Sequence, residues 1–353
     1  MKRVKLGIIG CGAIGTGAHL PAAQKSKFIE TIAVADIIEE RANAAAEKFS
    51  VPQVYNSGSA LLKEADVDAV VLALPVGDRS PLAFEALKLN KHVLLEKPVA
   101  ANAREVKRMI NLRGDKVVGV CSSRYALEEM SVAARKCVES GVLGDLRIVR
   151  ARELRSVSAA PNPNPPAWRQ SMAKNGGGIL VNWSCYELDL LMSITGWKLK
   201  PTSVMGQWWP VATKQSAYVA PGSDADSHYT ALVVCEGGTV ISLERAEFAV
   251  VQHDQSWEII GTDASLIIPM LAPSNRPYEL VLNRIVKGKG IVPKTIWKPK
   301  KTVKNIDVLE DFVKAILENN EPKTGLEQSL ILQNITDAIY KSAKTGKLVS
   351  IKQ

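Results

Sequence analysis

Residues 4–15 of the 353-residue chain, Val-Lys-Leu-Gly-Ile-Ile-Gly-Cys-Gly-Ala-Ile-Gly, join an apolar run to three glycines. The run from Val4 to Ile9 predicts a buried strand, and the segment from Ala18 to Ser26 is compatible with a helix. Gly10-Cys11-Gly12-Ala13-Ile14-Gly15 lies between them with G-x-G-x-x-G spacing. Its first glycine allows a tight turn, its second lets a pyrophosphate approach the backbone, and its third lets the helix pack against the strand. The segment therefore predicts a dinucleotide-binding turn, with the phosphates at the helix N-terminus.

An acidic residue follows at the distance that such a turn requires. The run Thr31 to Ala35 predicts a second strand and ends at Asp36, about 20 residues beyond the glycines. A carboxylate at this point accepts hydrogen bonds from the ribose hydroxyls and repels a 2′-phosphate, which favours NAD over NADP. Arg41, on the following helix, either stacks on adenine or lies in solvent. The alternative is a glycine-rich turn in which Asp36 caps a helix.

Short apolar runs and helical patterns alternate through the rest of the first 122 residues. This alternation is typical of βαβ units, so residues 1–122 predict a doubly wound parallel sheet of five strands, a Rossmann domain. The remaining predicted elements of this domain are the strands Ala69 to Leu74, His92 to Leu95 and Val117 to Val120, and the helices Glu39 to Phe49 and Pro81 to Leu89.

The pattern changes after residue 122. Longer alternating runs separated by glycine turns predict antiparallel strands, so residues 123–353 are expected to form an α+β domain. Its C-terminal helices are candidates for packing back on the Rossmann domain. The predicted strands are Ser203 to Trp209, Tyr229 to Cys235, Thr239 to Glu247 and Ser256 to Ile260, and the helices are Leu127 to Ser140, Asn182 to Thr195, Ile306 to Glu318 and Leu326 to Lys341.

The composition restricts the partners. Forty-five Lys and Arg against 36 Asp and Glu give a net charge of +9, and the densest basic segment, Lys287 to Lys304, is broken by prolines and glycines. Because it contains neither an aromatic-interleaved RNA motif nor a recognition helix, it predicts a solvated loop and no nucleic-acid site. No apolar run reaches the ~18 residues of a membrane span. Five scattered cysteines without a C-x-x-C pair, and four histidines without metal-ligand spacing, predict a reduced cytoplasmic protein that binds no metal.

The strand His92 to Leu95 leads into Glu96-Lys97-Pro98. The last residues of a parallel strand lie at the carboxyl edge of the sheet, where ligands bind, so Lys97 is expected to meet the substrate. A lysine ammonium beside a hydroxyl carbon stabilises alkoxide character, and a lysine amine can exchange the proton itself. Taken alone, Glu-Lys-Pro is equally compatible with a surface turn whose lysine is solvated.

Over nearly its whole length the chain resembles the Gfo/Idh/MocA family, named for glucose-fructose oxidoreductase, inositol dehydrogenase and rhizopine catabolism. The matching segments are Gly10 to Gly15, His19-Leu20-Pro21-Ala22, Asp36, Pro75, Glu96-Lys97-Pro98, Ser140 to Asp145, Trp168-Arg169, Gly176 to Leu180 and Asp189. The resemblance implies a Rossmann domain, and a second domain whose large open, mainly antiparallel sheet commonly joins homodimers or homotetramers. It also implies hydride exchange between a nicotinamide and a sugar or cyclitol carbon, with Lys97 in the active site.

The resemblance also implies a set of cofactor contacts. Trp168 and Arg169 are expected to cover the nicotinamide, or else to be ordinary interface residues. The full set expected at the cofactor is Gly10, Gly12, Ala13, Ile14, Asp36, Arg41, Leu74, Pro75, Glu96, Lys97, Trp168 and Arg169.

The chain departs from the family where the proton is handled. Typical members carry an Asp after the glycine triplet and a His one helical turn later, whereas this chain has Asn182 and Tyr186. Residues four apart share a helix face, so both are expected on the substrate side, with Asp189 one turn further. Tyr186 and Lys97 can relay a proton as a pair, and Asn182 can orient a hydroxyl but cannot ionise. Alternatively, Tyr186 only packs or binds substrate, and Lys97 alone handles the proton.

These observations favour an NAD-dependent oxidoreductase of a sugar, glycoside or cyclitol, with Lys97, Tyr186 and Asn182 as its catalytic residues. Two other hypotheses fit the same residues. One is an enzyme that retains NAD and cleaves a glycoside through transient oxidation. The other is an NAD-binding protein whose catalysis is impaired because the usual Asp and His are absent.

Overall fold

The computed structural model describes residues 3–273, 276–300 and 307–351. Of these, residues 3–124 and 307–333 form one compact unit, and residues 125–300 and 334–351 form a second. The sequence pattern predicts a domain boundary at residue 122. The first segment of the first unit ends two residues later, at residue 124. Part of the C-terminal region belongs to the first unit.

The first unit contains a six-stranded sheet in the order β3-β2-β1-β4-β5-β6, and every neighbouring pair is parallel. This order is that of the Rossmann fold, so the predicted fold class is confirmed. The prediction of five strands was wrong by one: the missed strand, β3, has only three residues, and two of them are exposed. The strands are β1 Val4–Ile9, β2 Ile29–Ala35, β3 Gln53–Tyr55, β4 Ala69–Leu72, β5 His92–Leu95 and β6 Val118–Val120.

The second unit contains a nine-stranded sheet in the order β14-β13-β12-β11-β7-β10-β9-β8-β15. Its described pairs are antiparallel except β7 with β10, which confirms a large, mainly antiparallel sheet. The strands are β7 Leu146–Ser156, β8 Pro201–Pro210, β9 Asp226–Cys235, β10 Val240–Ala249, β11 Asp254–Gly261, β12 Ala264–Ile268, β13 Leu280–Val286, β14 Gly290–Trp297 and β15 Val349–Ser350.

The helices join these strands and cover the sheets. They are α1 Leu20–Lys25, α2 Glu39–Phe49, α3 Gly58–Glu64, α4 Val76–Lys88, α5 Ala103–Arg113, α6 Glu129–Glu139, α7 Met172–Asn175, α8 Cys185–Ile194, α9 Val308–Glu318 and α10 Leu326–Thr345. Two π-helical turns, Gly15–His19 and Leu180–Ser184, directly precede α1 and α8. Among the described residues, no helix is both long and apolar enough to cross a bilayer.

The basic segment Lys287 to Lys304 is not a single loop. Lys287 to Lys289 lie in a turn, and residues 290–297 form the edge strand β14, while residues 301–304 lie outside the described part of the chain. Strand β14 pairs with β13 through a hairpin in which Asn283 faces Pro293. The prediction missed this strand because its lysines, glycines and proline obscure the alternation of apolar and polar residues, although an edge strand tolerates all of them.

The two faces of the nine-stranded sheet differ. One row across four strands is fully buried: Val204, Val233, Ile241 and Val149. On the other face, Met205 lies opposite Leu232 with both side chains exposed, and Arg150 pairs with Glu258 at 2.7 Å. We refer to the exposed side, marked by Met205, Leu232 and Arg150, as the open face.

Helix α9 completes the core of the first unit. Phe312 is fully buried in one apolar cluster with Leu6, Ile8 and Leu94 of the parallel sheet. A Cβ added to Gly119 of β6 would lie 3.2 Å from the Phe312 ring, so glycine is needed there for this close contact. Residues 307–333 are therefore part of the folding unit that contains the glycine turn.

We expect Phe312→Ala to lower the free energy of unfolding by about 3–5 kcal/mol, because it leaves a cavity against the parallel sheet. Urea denaturation followed by circular dichroism measures the change. Val132→Ala, which truncates an exposed side chain on α6, is the control and should change stability by less than about 0.5 kcal/mol. Equal stability of Phe312→Ala and the wild type would contradict this packing.

Candidate active site

The glycine turn has the geometry that its spacing predicts. Gly10 has φ +103°, and a Cβ there would lie 2.5 Å from the carbonyl oxygen of Ala73. A Cβ on Gly15 would lie 2.0 Å from the Gly10 carbonyl oxygen, whereas one on Gly12 would meet nothing within 4 Å. Ala13 and Ile14 are exposed at the start of the helix. The turn thus presents open backbone around Gly12 and is tightly packed at both flanking glycines.

Asp36 is held against this turn. Its carboxylate oxygens accept hydrogen bonds from the backbone N–H groups of Cys11 at 2.8 Å and Ile38 at 2.9 Å. The side chain is buried, while the next residue, Ile37, is 88% exposed, and Arg41 is exposed on α2. The structure therefore brings Asp36 to the predicted phosphate turn and leaves an apolar surface beside it.

Glu96 fixes the segment that carries Lys97. Its Oε1 lies 2.9 Å from His19 Nε2, in the π-helical turn that follows the glycines. Its Oε2 accepts a hydrogen bond from the Lys97 backbone N–H at 3.1 Å. Lys97 itself is half-buried directly after β5, at the carboxyl edge as predicted. One carboxylate thus connects the helix after the glycine turn to the lysine segment.

The charge of Glu96 is strongly stabilised. Burial alone would raise its pKa, but the hydrogen bond from His19 and the charges of His19, Arg79 and Lys97 outweigh burial and lower the pKa to about 2. Glu96 is therefore ionised at neutral pH.

Arg79 of α4 clamps two neighbouring loops at the carboxyl edge. Its guanidinium donates to the carbonyl oxygen of Leu74 at 2.8 Å and also to the carbonyl oxygen of Pro98, and the side chain is fully buried. Leu74 and Pro75, both half-buried, follow β4, and Pro98 follows Lys97. Arg79 could not be identified from the sequence, because its partners are backbone carbonyl oxygens and such contacts produce no residue pattern.

A cluster of potential metal ligands lies beside Glu96. The ligand atoms of His19, Glu96 and Cys121 are within 4.8 Å of one another. Burial, together with the charge of Glu96, raises the pKa of the Cys121 thiol well above its usual value, so the thiolate that a metal prefers is disfavoured. The positive charge of Arg79 also bears on both Glu96 and Cys121. The prediction that no metal is bound stays a prediction, and we assign this cluster a structural role.

In the second unit, Asp226 organises the glycine triplet. Its carboxylate accepts hydrogen bonds from the N–H groups of Gly178 at 2.8 Å and Leu180 at 2.7 Å, and from the Tyr340 hydroxyl at 2.6 Å. Side chains are excluded at this triplet, because a Cβ on Gly177 would lie 2.0 Å from the Tyr340 hydroxyl and one on Gly178 would lie 1.9 Å from the Asp226 carbonyl oxygen. Asp226 and Tyr340 are further residues that the sequence pattern did not reveal.

Asn182 stabilises the backbone around the triplet. Its amide nitrogen donates to the carbonyl oxygens of Arg169 and Gly178, both at 3.0 Å, and the side chain is buried. The structure therefore brings Asn182 together with Arg169, whose guanidinium pairs with Glu247. Trp168, in contrast, is 40% exposed.

Tyr186 lies four residues after Asn182, at the start of α8, within an aromatic cluster. Its ring makes edge contacts with Tyr125, at 5.3 Å between centroids, and with Trp183, at 5.7 Å. The side chain is 8% exposed. Aromatic neighbours on two sides hold the ring in one orientation, which suits a positioned hydroxyl.

Ionised groups are buried beneath Trp183. Arg245 Nη1 lies 2.6 Å from Glu187 Oε1, and Arg245 is also 3.9 Å from Glu153, with all three side chains fully buried. Burial raises the pKa of Glu187, and the charge of Glu153 adds to this effect while Arg245 opposes it. The guanidinium of Arg245 stacks 4.2 Å from the Trp183 ring. A signal for this network exists in the sequence, since Glu153 and Arg245 interrupt the inward apolar positions of β7 and β10.

We expect ionised Glu96 to contribute on the order of 3 kcal/mol to stability above pH ~4.5, because its pKa is lower in the folded state than in the unfolded chain. This contribution is lost as the pH falls through that value towards 2. Denaturation of the wild type and of Glu96→Gln from pH 7 to pH 3 measures it. The difference in free energy of unfolding between the wild type and Glu96→Gln should be largest above pH 5 and should decrease in acid. Glu64→Gln, which removes an exposed carboxylate, should show no such trend, and a gap independent of pH would contradict the assignment.

Comparison with known proteins agrees with this architecture. Residues 4–121 match the family described as oxidoreductase family, NAD-binding Rossmann fold (GFO_IDH_MocA), and residues 131–267 match the GFO/IDH/MocA C-terminal domain. The chain is similar to dTDP-3,4-didehydro-2,6-dideoxy-alpha-D-glucose 3-reductase of Streptomyces violaceoruber, with 33% identity over 57% of each chain. It is also similar to levoglucosan dehydrogenase of Pseudarthrobacter phenanthrenivorans, with 24% identity over 100% of this chain and 99% of that one.

A solved structure of levoglucosan dehydrogenase in complex with NADH and levoglucosan has the same fold. It is 23% identical, covers 100% of both chains and superposes with a TM-score of 0.83. The glycine turn, Asp36 and the Glu96-Lys97-Pro98 segment all lie within the matched residues 4–121. The chain belongs to the Gfo/Idh/MocA oxidoreductase family, whose N-terminal domain binds NAD.

Proposed function

We propose that the protein is an NAD-dependent dehydrogenase or reductase that transfers a hydride between the nicotinamide and a secondary hydroxyl or keto carbon of a sugar, glycoside or cyclitol. The observation that carries the proposal is the fixed position of Lys97 at the carboxyl edge of the parallel sheet. Its backbone is held by Glu96, which also binds the helix after the glycine turn. The amine therefore belongs to the same rigid edge as the proposed cofactor turn.

The glycine turn and Asp36 suit NAD. The space around Gly12, which a side chain would fill, leaves backbone N–H groups accessible to a pyrophosphate at a helix N-terminus. The buried carboxylate of Asp36 has acceptor capacity for ribose hydroxyls and would repel a 2′-phosphate, so we propose NAD rather than NADP. Exposed Ile14 and Ile37 offer apolar surface for the adenosine. The further proposed cofactor contacts are Ala13, Arg41, Leu74, Pro75, Glu96, Trp168 and Arg169.

When bound, NAD supplies the carbon that accepts or returns the hydride. Lys97 hydrogen-bonds the substrate oxygen and stabilises the negative charge that develops on it as its proton leaves. Tyr186 gives or takes that proton, directly or together with Lys97. Asn182 acts as a positioning residue, because its amide holds the carbonyl of Arg169 and the glycine triplet. Arg169, oriented by Glu247, contacts substrate hydroxyls.

We further propose that the protein works as a cytoplasmic homodimer or homotetramer joined through the open face. The five cysteines form no disulfide with one another, which suits a reducing compartment. On the open face, exposed Met205, Leu232 and Val234 adjoin ion pairs between Arg150 and Glu258 and between Arg152 and Glu244. Contiguous exposed apolar residues bordered by charges are typical of an interface between subunits.

We expect Lys97→Met to reduce turnover of the polyol that the wild type uses best by about 10²–10⁴-fold, because the developing alkoxide loses the hydrogen-bond donor that handles its proton. The affinity for NADH, measured by fluorescence titration, should change by less than about threefold, since all the other proposed cofactor contacts remain. Lys88→Met, which removes an exposed lysine at the end of α4, should leave both quantities unchanged. Retained turnover in Lys97→Met would refute the role of Lys97, and a wild type that binds no NADH would refute the proposed function.

We expect Leu232→Glu to convert the assembly to monomers, because a carboxylate would be buried without a partner at the subunit interface. Light scattering coupled to size-exclusion chromatography measures the mass. Val250→Glu carries the same substitution at an exposed position outside the strands and should leave the mass unchanged. A wild type that is already monomeric would contradict the proposed interface.

A further inference from the structure

We propose that Arg155 and His253 form a subsite for an acidic group, so that the polyhydroxylated substrate carries a carboxylate. The proposal rests on the proposed function and adds a substrate class to it, the sugar acids. It is carried by the way in which one buried carboxylate, Glu153, holds these two half-exposed side chains beside the aromatic cluster of Tyr186.

The two groups share one anchor. Arg155 Nε lies 2.7 Å from Glu153 Oε1, and His253 Nε2 lies 3.4 Å from the same oxygen. The side chain of Glu153 has no exposure, whereas those of Arg155 and His253 are 43% and 37% exposed. In an ordinary surface ion pair both partners are solvated and contribute little. Here a carboxylate removed from water fixes two nitrogen-bearing groups that still face solvent.

Arg155 is ordered a second time by an aromatic ring. Its guanidinium carbon lies 5.4 Å from the ring centroid of Trp183, and the buried Arg245 stacks on the same ring at 4.2 Å. Because Arg155 uses Nε for Glu153, the remaining donors are on its terminal nitrogens. A guanidinium held by a carboxylate and a ring loses little further entropy when it binds a planar oxyanion.

The pairing of the charges favours an anion with a single negative charge. The buried carboxylates Glu153 and Glu187 are each paired with an arginine, Arg155 and Arg245. A carboxylate brings one further negative charge to this paired group, whereas a dianionic phosphate brings two and is disfavoured by their repulsion from Glu153.

The subsite lies beside the proposed proton-transfer group. Trp183 contacts both groups: its ring centroid is 5.7 Å from that of Tyr186, and the guanidinium carbon of Arg155 lies 5.4 Å from the Trp183 ring centroid. The Tyr186 ring and the guanidinium are therefore no more than about 11 Å apart. In the proposed complex the substrate bridges them, with its reacting hydroxyl at Tyr186 and its acidic substituent at Arg155. Charge-assisted hydrogen bonds to that substituent are stronger than those to a neutral hydroxyl, so the pair discriminates acids from neutral sugars.

The test compares matched substrates with the NAD-loaded protein. Methyl α-D-glucopyranosiduronate is paired with methyl α-D-glucopyranoside, the corresponding galactose and mannose pairs are included, and glucose 6-phosphate represents the phosphate class. We expect at least one uronate to show a kcat/KM about 10–100-fold above its neutral partner. Arg155→Met should remove this preference mainly by raising KM for the uronate, and should change the neutral sugar less than about threefold. Arg155→Lys keeps the positive charge but loses the paired N–H donors of the guanidinium. Its preference for the uronate should therefore lie between those of the wild type and Arg155→Met.

Arg147→Met is the matched control, because it removes an exposed arginine from the same strand, and it should keep the preference. Calorimetric titration of the NADH-loaded protein with each uronate gives a readout that does not depend on turnover, and thermal unfolding shows that Arg155→Met is folded. If NADH binds and neutral sugars are used as well as or better than acids, the subsite is refuted while the proposed function stands. Preference for the phosphate ester, equal loss for both members of a pair, or no uronate binding also refutes it.

Discussion

A carboxylate removed from water destabilises the fold unless donors surround it, and Glu96 satisfies this requirement with groups from three parts of the first unit. His19 comes from the turn after the glycines, the Lys97 backbone N–H comes from the end of β5, and the charge of Arg79 comes from α4. None of these contacts can form until the strands are in register. The position of the backbone that carries the lysine amine is thus a consequence of neutralising one buried charge.

The second unit contains two further buried carboxylates that are surrounded by donor groups. Asp226 accepts three hydrogen bonds and sets the conformation of the glycine triplet, which leads into the helix that carries Tyr186. Glu153 collects Arg155, Arg245 and His253 on one oxygen. In each case the buried acid does not contact the proposed substrate. Instead, the buried acid holds the neighbouring backbone groups and side chains in place, so that the site is preorganised before a ligand binds.

The predictable parts of this protein are those in which local pattern and tertiary burial agree. The bounds of β1, α2 and β5 match the predicted Val4 to Ile9, Glu39 to Phe49 and His92 to Leu95, because each run is apolar at its buried positions. The turn chemistry of Gly10 and Gly15 was likewise readable, since no other residue fits such close backbone approaches. In contrast, β3 is short and mostly exposed, and β14 is an edge strand without a fully buried residue, so neither has a buried face to produce a pattern.

The site residues also divide into those that the strand order locates and those that only long-range packing brings together. Lys97 and Asp36 could be located because the carboxyl edge of a parallel sheet is a topological property, deducible from strand order. The partners of Arg79 and Asp226 could not, because they are backbone groups brought close by long-range packing and have no sequence signature. Glu153 and Arg245 were visible only as charges at inward strand positions, an anomaly that signals a buried network without saying what it orders.

The amide side chain of Asn182 suits its surroundings for the same physical reason. The amide nitrogen of Asn182 donates to two carbonyl oxygens, those of Arg169 and Gly178, within a buried helix start. A carboxylate in that position would set negative oxygen against both carbonyls and lose two hydrogen bonds, so Asp cannot substitute here without rearranging the triplet. The backbone around this residue is therefore adapted to a hydrogen-bond donor, and in the proposed mechanism other groups carry the proton chemistry. Tyr186, held between Tyr125 and Trp183 one turn later, is the adjacent group on that helix that can carry it.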